Sequence, residues 1–503
     1  MQLPKPAADF DITIIGGVKG GPTGLFSALL AREQGLSVCI LEQREGPLPI
    51  GRADALNART QQVYEVADVL KYLRPKGLKC NTSSVFKDGK FVSHNNTWWV
   101  SLENSQYKEF LMIGQPEIEK ALLKRLDVGV RYGVTAESIT ESAEGVEVRV
   151  VGDKGVIRSR YLVAADGAHS ACRKQLGIGF AGDMPNMCWA VLDTFLETDF
   201  PVCDEIVSFE VDGQSRVSWI PRERGMARFY VLLEGEVTQE KTQQSISQHM
   251  APYKVVFKET EWFSTYNVQE RVAEAFVSRG HGRVILAGDA AHVHAVNGGQ
   301  GLNTGAADAF ALAWRLKLAI SGFNTQVLQI YDAERRATAK GVVDVAAKLV
   351  RTTLKTAEEY VALIGKNAAN ITGMGITYAP SSAAVVASSV GAFVAGARTP
   401  DFVFAKAKVV EIRFYELLRY GNFVVLNPQG LALDLPQSLD AHVDVWEVSK
   451  RDTLFEVKTA AGAILTTSFD LGQDLTSAIV IRPDLYTGYV GTDVLGYFKG
   501  FVL

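Results

Sequence analysis

The stretch from Asp11 to Glu42 leaves this chain few ways to begin folding. Asp11-Ile12-Thr13-Ile14-Ile15 is a short apolar run suited to a buried strand, and a glycine-rich loop follows it. A helix is expected from about Thr23 to Gln34, stopped by Gly35, and then a strand from Ser37 to Leu41 closed by Glu42. Strand, glycine loop, helix, strand and a terminal acid is the plan of a dinucleotide-binding unit. In that unit the helix N-terminus meets the pyrophosphate and the acid holds a ribose hydroxyl. The loop is irregular: Gly16-Gly17-Val18-Lys19-Gly20-Gly21-Pro22-Thr23-Gly24 fits G-x-G-x-x-G only with about three residues inserted before Gly21. Gly21, Gly24 and Glu42 therefore carry the signal better than any residue of the first turn.

Two later segments repeat the device of an apolar strand ending in an acid. Tyr161-Leu162-Val163-Ala164-Ala165 runs into Asp166-Gly167, and Arg283-Val284-Ile285-Leu286-Ala287 runs into Gly288-Asp289. Parallel strands deliver their C-terminal ends to one sheet edge, where ligands bind. After Asp289, the loop Gly298-Gly299-Gln300-Gly301 allows close backbone approach to a ligand. A helix from Leu302 to Leu318 would turn its positive end toward that ligand.

Between about 178 and 275 the pattern changes to alternating runs, Trp189 to Leu196, Ile206 to Val211, Val217 to Ile220 and Met226 to Leu233, which read as an inserted, mostly antiparallel sheet. Its face toward the first domain would floor a pocket, with Trp219 among the candidates. On neighbouring strands it carries Pro221-Arg222-Glu223 and Arg228-Phe229-Tyr230. Upstream, Asp54 precedes a helical pattern, and Gln115-Pro116-Glu117 opens another helix with proline in the first turn. Read alone, Asp54 fits a solvated loop residue or a cap, Arg222 a solvated cation, and Tyr230 ordinary packing.

Helices are expected over 309–318 and from Gln326 to about Ile364, then a linker rich in Ala, Ser, Gly and Val at 381–396. A small α/β domain follows from about 400, with Phe423 to Leu426, His442 to Val448 and Ala478 to Pro483 as its apolar runs. It contains no cysteine, which excludes thiol redox chemistry within it.

A formal net charge of -4 with no basic block argues against nucleic acid, and no apolar run reaches membrane-spanning length. A soluble, cytoplasmic enzyme is the expectation. Five scattered cysteines without a C-x-x-C signal neither a disulfide framework nor a metal site.

Taken together, the glycine loop with Glu42, the Ala165-Asp166-Gly167 segment and Gly288-Asp289-Ala290-Ala291-His292 resemble the three flavin-binding motifs of single-component FAD-dependent aromatic hydroxylases. More narrowly, the chain resembles the phenol 2-monooxygenase branch, with its para-hydroxybenzoate-hydroxylase fold. The resemblance implies an α/β protein: a Rossmann-like FAD-binding domain (1–177 and 276–380), an inserted antiparallel-sheet substrate domain (178–275) and a C-terminal thioredoxin-like domain (395–503) without its cysteines. Matched residue by residue, the implied FAD set is Gly16, Gly21, Pro22, Thr23, Gly24, Glu42, Gln43, Arg59, Gln115, Asp166, Asp289, Gly299, Gln300, Gly301, Leu302 and Asn303. The implied catalytic set is Asp54, Arg222 and Tyr230: Asp54 to accept a proton directly or through a relay, Tyr230 to bond the substrate oxygen, and Arg222 to stabilise negative charge. The reaction implied is hydroxylation of a phenol by a flavin hydroperoxide, with NADPH or NADH and O2 as co-substrates, in a homodimer. A flavin-dependent hydroxylase or oxidase of a polyketide-like substrate is the alternative, and a non-catalytic flavin-binding protein is a third reading. The family often has proline in the loop after Ala-His-x-His where this chain has Val296.

Overall fold

The computed structural model describes residues 8–17, 21–95, 105–152, 155–201, 204–296, 298–380, 384–406, 410–472 and 475–503. The inserted Val18-Lys19 stretch lies outside them, as does the start of the expected linker. Strand β1 (Phe10–Ile15), helix α1 (Pro22–Glu33) and strand β2 (Val38–Leu41) form where the sequence places them. Pro22 supplies a preset φ in the first turn of α1, and Gly35, at φ +78°, turns the chain after it. Helix α2 (Ala58–Val66) is capped by Asn57, whose side chain accepts from Thr60 N. Strands β3 (Ser83–Lys87) and β4 (Lys90–Asn95), helix α3 (Gln115–Arg125) and the long strand β5 (Val156–Ala164) follow.

The inserted region supplies β6 (Cys188–Thr198), β7 (Ile206–Val211), β8 (Gln214–Pro221), β9 (Ala227–Leu233) and β10 (Val255–Asn267). The chain then returns through β11 (Val284–Leu286), α4 (Gln300–Ile320) and α5 (Gln326–Thr352). The helix expected to run on to 364 breaks, and α6 (Ala357–Lys366) restarts after Thr356, whose hydroxyl accepts from Glu359 N. The Thr-Ala-Glu-Glu sequence is itself a start signal. The C-terminal unit carries β12 (Phe423–Pro428), β13 (Val443–Arg451) and β14 (Ala478–Ile481) in an eight-stranded mixed sheet. Its described helices are short, Phe414–Leu417 and Val494–Lys499, so it is richer in strand than its sequence suggests.

In the first sheet β2, β1, β5 and β11 are parallel neighbours in that order. Ile12, Ile14, Ile40 and Leu162 are fully buried within it, as expected of strands covered on both faces. The four C-terminal ends therefore share one edge, and Gly16, Glu42, Ala165 and Ala287 lie just beyond them. The second sheet has seven strands in the order β10-β6-β9-β8-β7-β3-β4. Two of these, β3 and β4, come from upstream of the insertion, and β3 joins β7 in parallel. Alternation along the sheet divides its residues: Trp219 pairs with Phe229, while Ser218 pairs with Tyr230. Tyr230 thus faces the first domain, and Trp219 lies on the other face, edge-on to Phe229 and beside Phe200.

Candidate functional site: a flavin cleft and a proton relay

At the shared strand edge the glycines are required by contact. A Cβ on Gly24 would lie 2.2 Å from Gly16 O, and one on Gly16 would lie 2.1 Å from Ala165 O. The α1 N-terminus, the glycine turn after β1 and the Ala165-Asp166 turn are thereby packed backbone to backbone. Thr23 is buried against the other side of this junction: a Cβ on Gly305 would meet its hydroxyl at 2.2 Å, and one on Gly288 would meet it at 2.8 Å. Helices α1 and α4 cross there, which fixes their N-termini relative to each other.

Neither N-terminus carries a side-chain cap; Gly21 (φ +79°) precedes α1 and Gly299 (φ +61°) precedes α4. Uncapped helix starts present backbone N–H groups and partial positive charge, which suits a phosphate at one and an electron-rich ring edge at the other. Above Gly21 an added Cβ would meet only Gln115 Nε2, at 3.7 Å, so the space there is open. Gln115 is buried and held: its Nε2 donates to Glu119 Oε1 (2.8 Å) and its Oε1 accepts from Ala53 N (3.4 Å). Asn303 ties α4 to the segment before α2, accepting from Asn57 N (2.9 Å) and donating to Ala55 O (3.0 Å). Leu302 is buried in the same turn, and Gln300 Nε2 is buried without a partner among the described residues.

Glu42 is fully buried at the end of β2, and one of its oxygens accepts from Arg44 N (2.8 Å). Gln43 beside it is exposed. Asp289 is crowded by protein yet its side chain is open to solvent, which places it on a cleft wall; burial raises its carboxyl above the usual range, and His292 and Arg52 oppose that rise. The loop is braced from behind by Asp308, whose Oδ2 accepts from Gly288 N (3.0 Å) and lies 2.7 Å from His292 Nε2. Asp166 Oδ2 accepts from Cys172 N, while its Oδ1 has no hydrogen-bond partner among the described residues. Arg59 turns to the C-terminal unit, donating to Asp484 O (2.9 Å) and stacking over Tyr486.

The second sheet closes the cleft with a charged cluster. Tyr230 OH donates to Asp54 Oδ1 at 3.4 Å, joining two residues that the sequence separates by 176 positions. Burial, with Asp54 adding to it, raises the Tyr230 phenol, so it remains a proton donor. Arg222 does not reach Asp54: it forms a two-pronged pair with Glu223 (2.9 and 2.9 Å), with Asp193 farther off at 3.4 Å. The cation beside Asp54 is Arg228. It grips Asp193 through two nitrogens at 2.6 Å, and presents its third to Asp54 Oδ2 (3.4 Å), Tyr230 OH (3.4 Å) and the carbonyl of Arg52. Trp262 covers the guanidinium at 5.2 Å, and Gly51 leaves room for that indole. Alternation could have found Arg228, since it stands two residues before Tyr230 on the same strand face.

Open space over Gly21, the contact glycines 16 and 24, and unpartnered polar atoms at Gln300 and Asp54 fit a bound dinucleotide with a planar ring. Fold and site together define a dinucleotide-binding α/β protein with a second sheet closing its ligand cleft. Residues 9–346 match the FAD binding domain family, and the chain belongs to it. Among its relatives, a 3-hydroxybenzoate 4-monooxygenase from Comamonas testosteroni is 28% identical over 377 residues, 66% of this chain and 58% of that protein. A 12-dehydrotetracycline 5-monooxygenase/anhydrotetracycline 6-monooxygenase from Streptomyces rimosus is 30% identical over 354 residues, 66% of this chain and 68% of that protein. The chain spans 53% to 58% of the length of several curated relatives. In fold it is similar to aklavinone-11 hydroxylase, crystallised with FAD and aklavinone (TM-score 0.77, 21% identity, 97% of this chain and 96% of that one). No described helix is long and apolar enough to cross a membrane.

Proposed function

We propose that this chain is an FAD-dependent monooxygenase that hydroxylates a phenolic ring with NAD(P)H and O2. The observation that carries this reading is the Tyr230–Asp54 contact on the cleft wall, backed by Arg228. A phenol has an ordinary pKa near 10, so at neutral pH its reactive phenolate lies roughly 4 kcal/mol uphill. Tyr230 and Asp54 lower that step. Tyr230 passes its own proton to Asp54 Oδ1 while taking the substrate's, leaving the ring as phenolate and one proton on the carboxylate.

Gly16, Gly21, Pro22, Thr23 and Gly24 would hold the pyrophosphate, Glu42 a ribose hydroxyl, and Asp289 the ribityl side. Gly299 to Asn303 would lie along the ring, with Gln115 beside the phosphates. Bound FAD would supply the redox chemistry the polypeptide lacks, linking NAD(P)H and O2 to hydroxylation of the ring. The boundaries 1–177 with 276–380, 178–275 and 395–503 serve as domain limits in this reading, with β3 and β4 added to the substrate sheet.

A polycyclic, polyketide-like phenol is the second reading, favoured by the 30% identity to the tetracycline enzyme. The test is a panel of simple and polycyclic phenols with FAD-loaded protein, following NADPH oxidation together with incorporation of isotopically labelled O2. Oxidation without incorporation on every phenol would reject hydroxylation, and the class that gains mass decides between the two substrates.

A further inference from the structure

We propose that the cavity between α2, α4, α5 and the C-terminal unit is a binding site for one small inorganic anion of chloride size, held by Arg59, Gln300 and Tyr378. It lies apart from the cofactor cleft and does not depend on the reaction proposed above.

Arg59 is a buried cation without a counterion. It is 6% exposed, and its hydrogen bonds go to uncharged acceptors: Gln62 Oε1 (3.1 Å), the Tyr415 hydroxyl (3.4 Å) and the main-chain carbonyl of Asp484 (2.9 Å). Among the described residues no carboxylate forms an ion pair with it. The buried arginines around it each have one: Arg315 pairs with Glu334 (2.7 Å), Arg482 with Glu334 (2.8 Å) and Asp484 (2.7 Å), and Arg335 with Asp308 (2.7 Å). A cation taken out of water without a partner is costly, and a guanidinium has five N–H donors, of which these three bonds leave two. The Tyr486 ring beneath the guanidinium, 5.2 Å from its carbon, helps to hold it in place.

Space for the missing anion lies beside it. A cavity of about 50 Å3 is lined by Arg59, Gln300, Thr304, Ala307, Ala311 and Tyr378 among others. One water takes roughly 10–15 Å3 of such space, so the cavity suits a chloride with a few waters and excludes a nucleotide. Thr304, Ala307 and Ala311 form one face of α4, at i, i+3 and i+7, whereas Gly305, packed against Thr23 of α1, is on the other. The cavity is therefore behind α4, away from the α1 start. Two more donors reach it. Gln300 Nε2 is buried with no partner among the described residues, and its two protons are enough to face both the flavin side and the cavity. The Tyr378 hydroxyl accepts from Arg335 (3.3 Å), which leaves its own proton to donate. The acid on the wall is already spent: Asp484 accepts from Arg482 on both oxygens (3.0 and 2.7 Å) and from Arg315 on one (3.3 Å). An anion here ties the starts of α2 and α4 to the C-terminal unit, which gives that cysteine-free unit a ligand to hold.

The test uses bromide, which replaces chloride and scatters X-rays anomalously, on the FAD-loaded full chain. Crystals soaked in sodium bromide should show an anomalous peak between Arg59 and Tyr378. In solution, urea titrations are run at constant ionic strength with bromide replacing gluconate, which is too large to enter. Beyond half-saturation each tenfold rise in bromide should lower the unfolding equilibrium constant of the wild type about tenfold relative to that of Arg59→Gln. General salt effects and anions at other sites act on both proteins alike, so equal responses overturn the proposal. So does a cavity holding water alone, and a peak without the solution response means binding at crystal concentration only, which overturns it too. If Arg59→Gln does not fold, Tyr378→Phe replaces it: the ring stays, one donor goes, and bromide affinity should fall roughly fivefold. An unchanged affinity in that variant rejects the site.

Discussion

Glu334 and Arg482 lie 148 residues apart in the chain and meet in the interior, two guanidinium nitrogens against two carboxylate oxygens at 2.8 Å each. Arg315 adds a bond to the same carboxylate (2.7 Å), and Asp484 balances the group by accepting from Arg482 (2.7 and 3.0 Å). Two cations and two anions, all buried, join α4, α5 and the C-terminal unit. The residue next to Glu334 continues the link: Arg335 Nε donates to Asp308 Oδ1 (2.7 Å), and Asp308 braces Gly288 and His292.

Arg482→Met should therefore destabilise the chain by about 3–5 kcal/mol, because it strands two carboxylates on one arginine. A urea titration of the FAD-loaded protein measures this, and a loss under about 1 kcal/mol would remove the cluster from the stability argument. FAD should also be released more readily, since the brace under the Gly288–Asp289 turn is anchored through α5.

Gly24→Val should abolish FAD retention. Its Cβ would overlap Gly16 O at 2.2 Å, backbone against backbone, so the α1 start has to move from the strand edge. Gly35→Ala is the control. Gly35 also has positive φ but open space around it, so the substitution should cost about 1–2 kcal/mol of stability while FAD stays bound. Fluorescence titration with FAD separates the two; equal affinities would mean the glycine contact does not shape the cofactor site.

Glu119 makes stability fall as pH rises. Burial pushes its carboxyl up to about 7 and nearby Glu42 adds to this, while Gln115, Leu48 N and Arg44 pull the other way. In the unfolded chain it ionises near the ordinary 4.5, so the folded state holds this proton more tightly. The stabilisation is complete below about 4.5 and disappears as pH rises through about 7. Glu119→Gln cannot ionise and should flatten the decline, by about 3 kcal/mol at most between the two ends. Thermal melts at pH 5 to 8 check it, and parallel slopes in the two proteins would refute it.

Much of the cofactor edge was legible because it is local. Glu42 and Asp289 each close an apolar run, and parallel strands bring such closures together whatever lies between them. Asp54 and Tyr230 were legible only through family resemblance, since a lone acid before a helix and a tyrosine on a strand carry no local mark. The resemblance also pointed to Arg222. Its neighbour Glu223 sits one residue away, close enough to claim it, while Arg228 is carried by strand alternation to the face that matters. Trp219 was misplaced for the same reason, one residue out of phase with Tyr230's face. The β3–β7 pairing and the Glu334–Arg482 contact join distant segments through backbone or buried charge, and neither leaves a periodic trace in sequence.

Tyr230→Phe tests the relay most sharply. Burial holds the Tyr230 phenol protonated, so its hydroxyl is there to donate, and its contact with Asp54 Oδ1 gives the proton somewhere to go. Losing that hydroxyl should lower hydroxylation about 100-fold or more while FAD remains bound and reducible. Asp54→Asn should produce a loss of similar size, and the double substitution should add little, because the two groups move one proton in series. The deciding comparison uses two phenols, one neutral and one already ionised at the assay pH. If the pair exists to remove a proton, the ionised phenol should escape most of the loss; an equal loss on both would assign Tyr230 to substrate orientation instead.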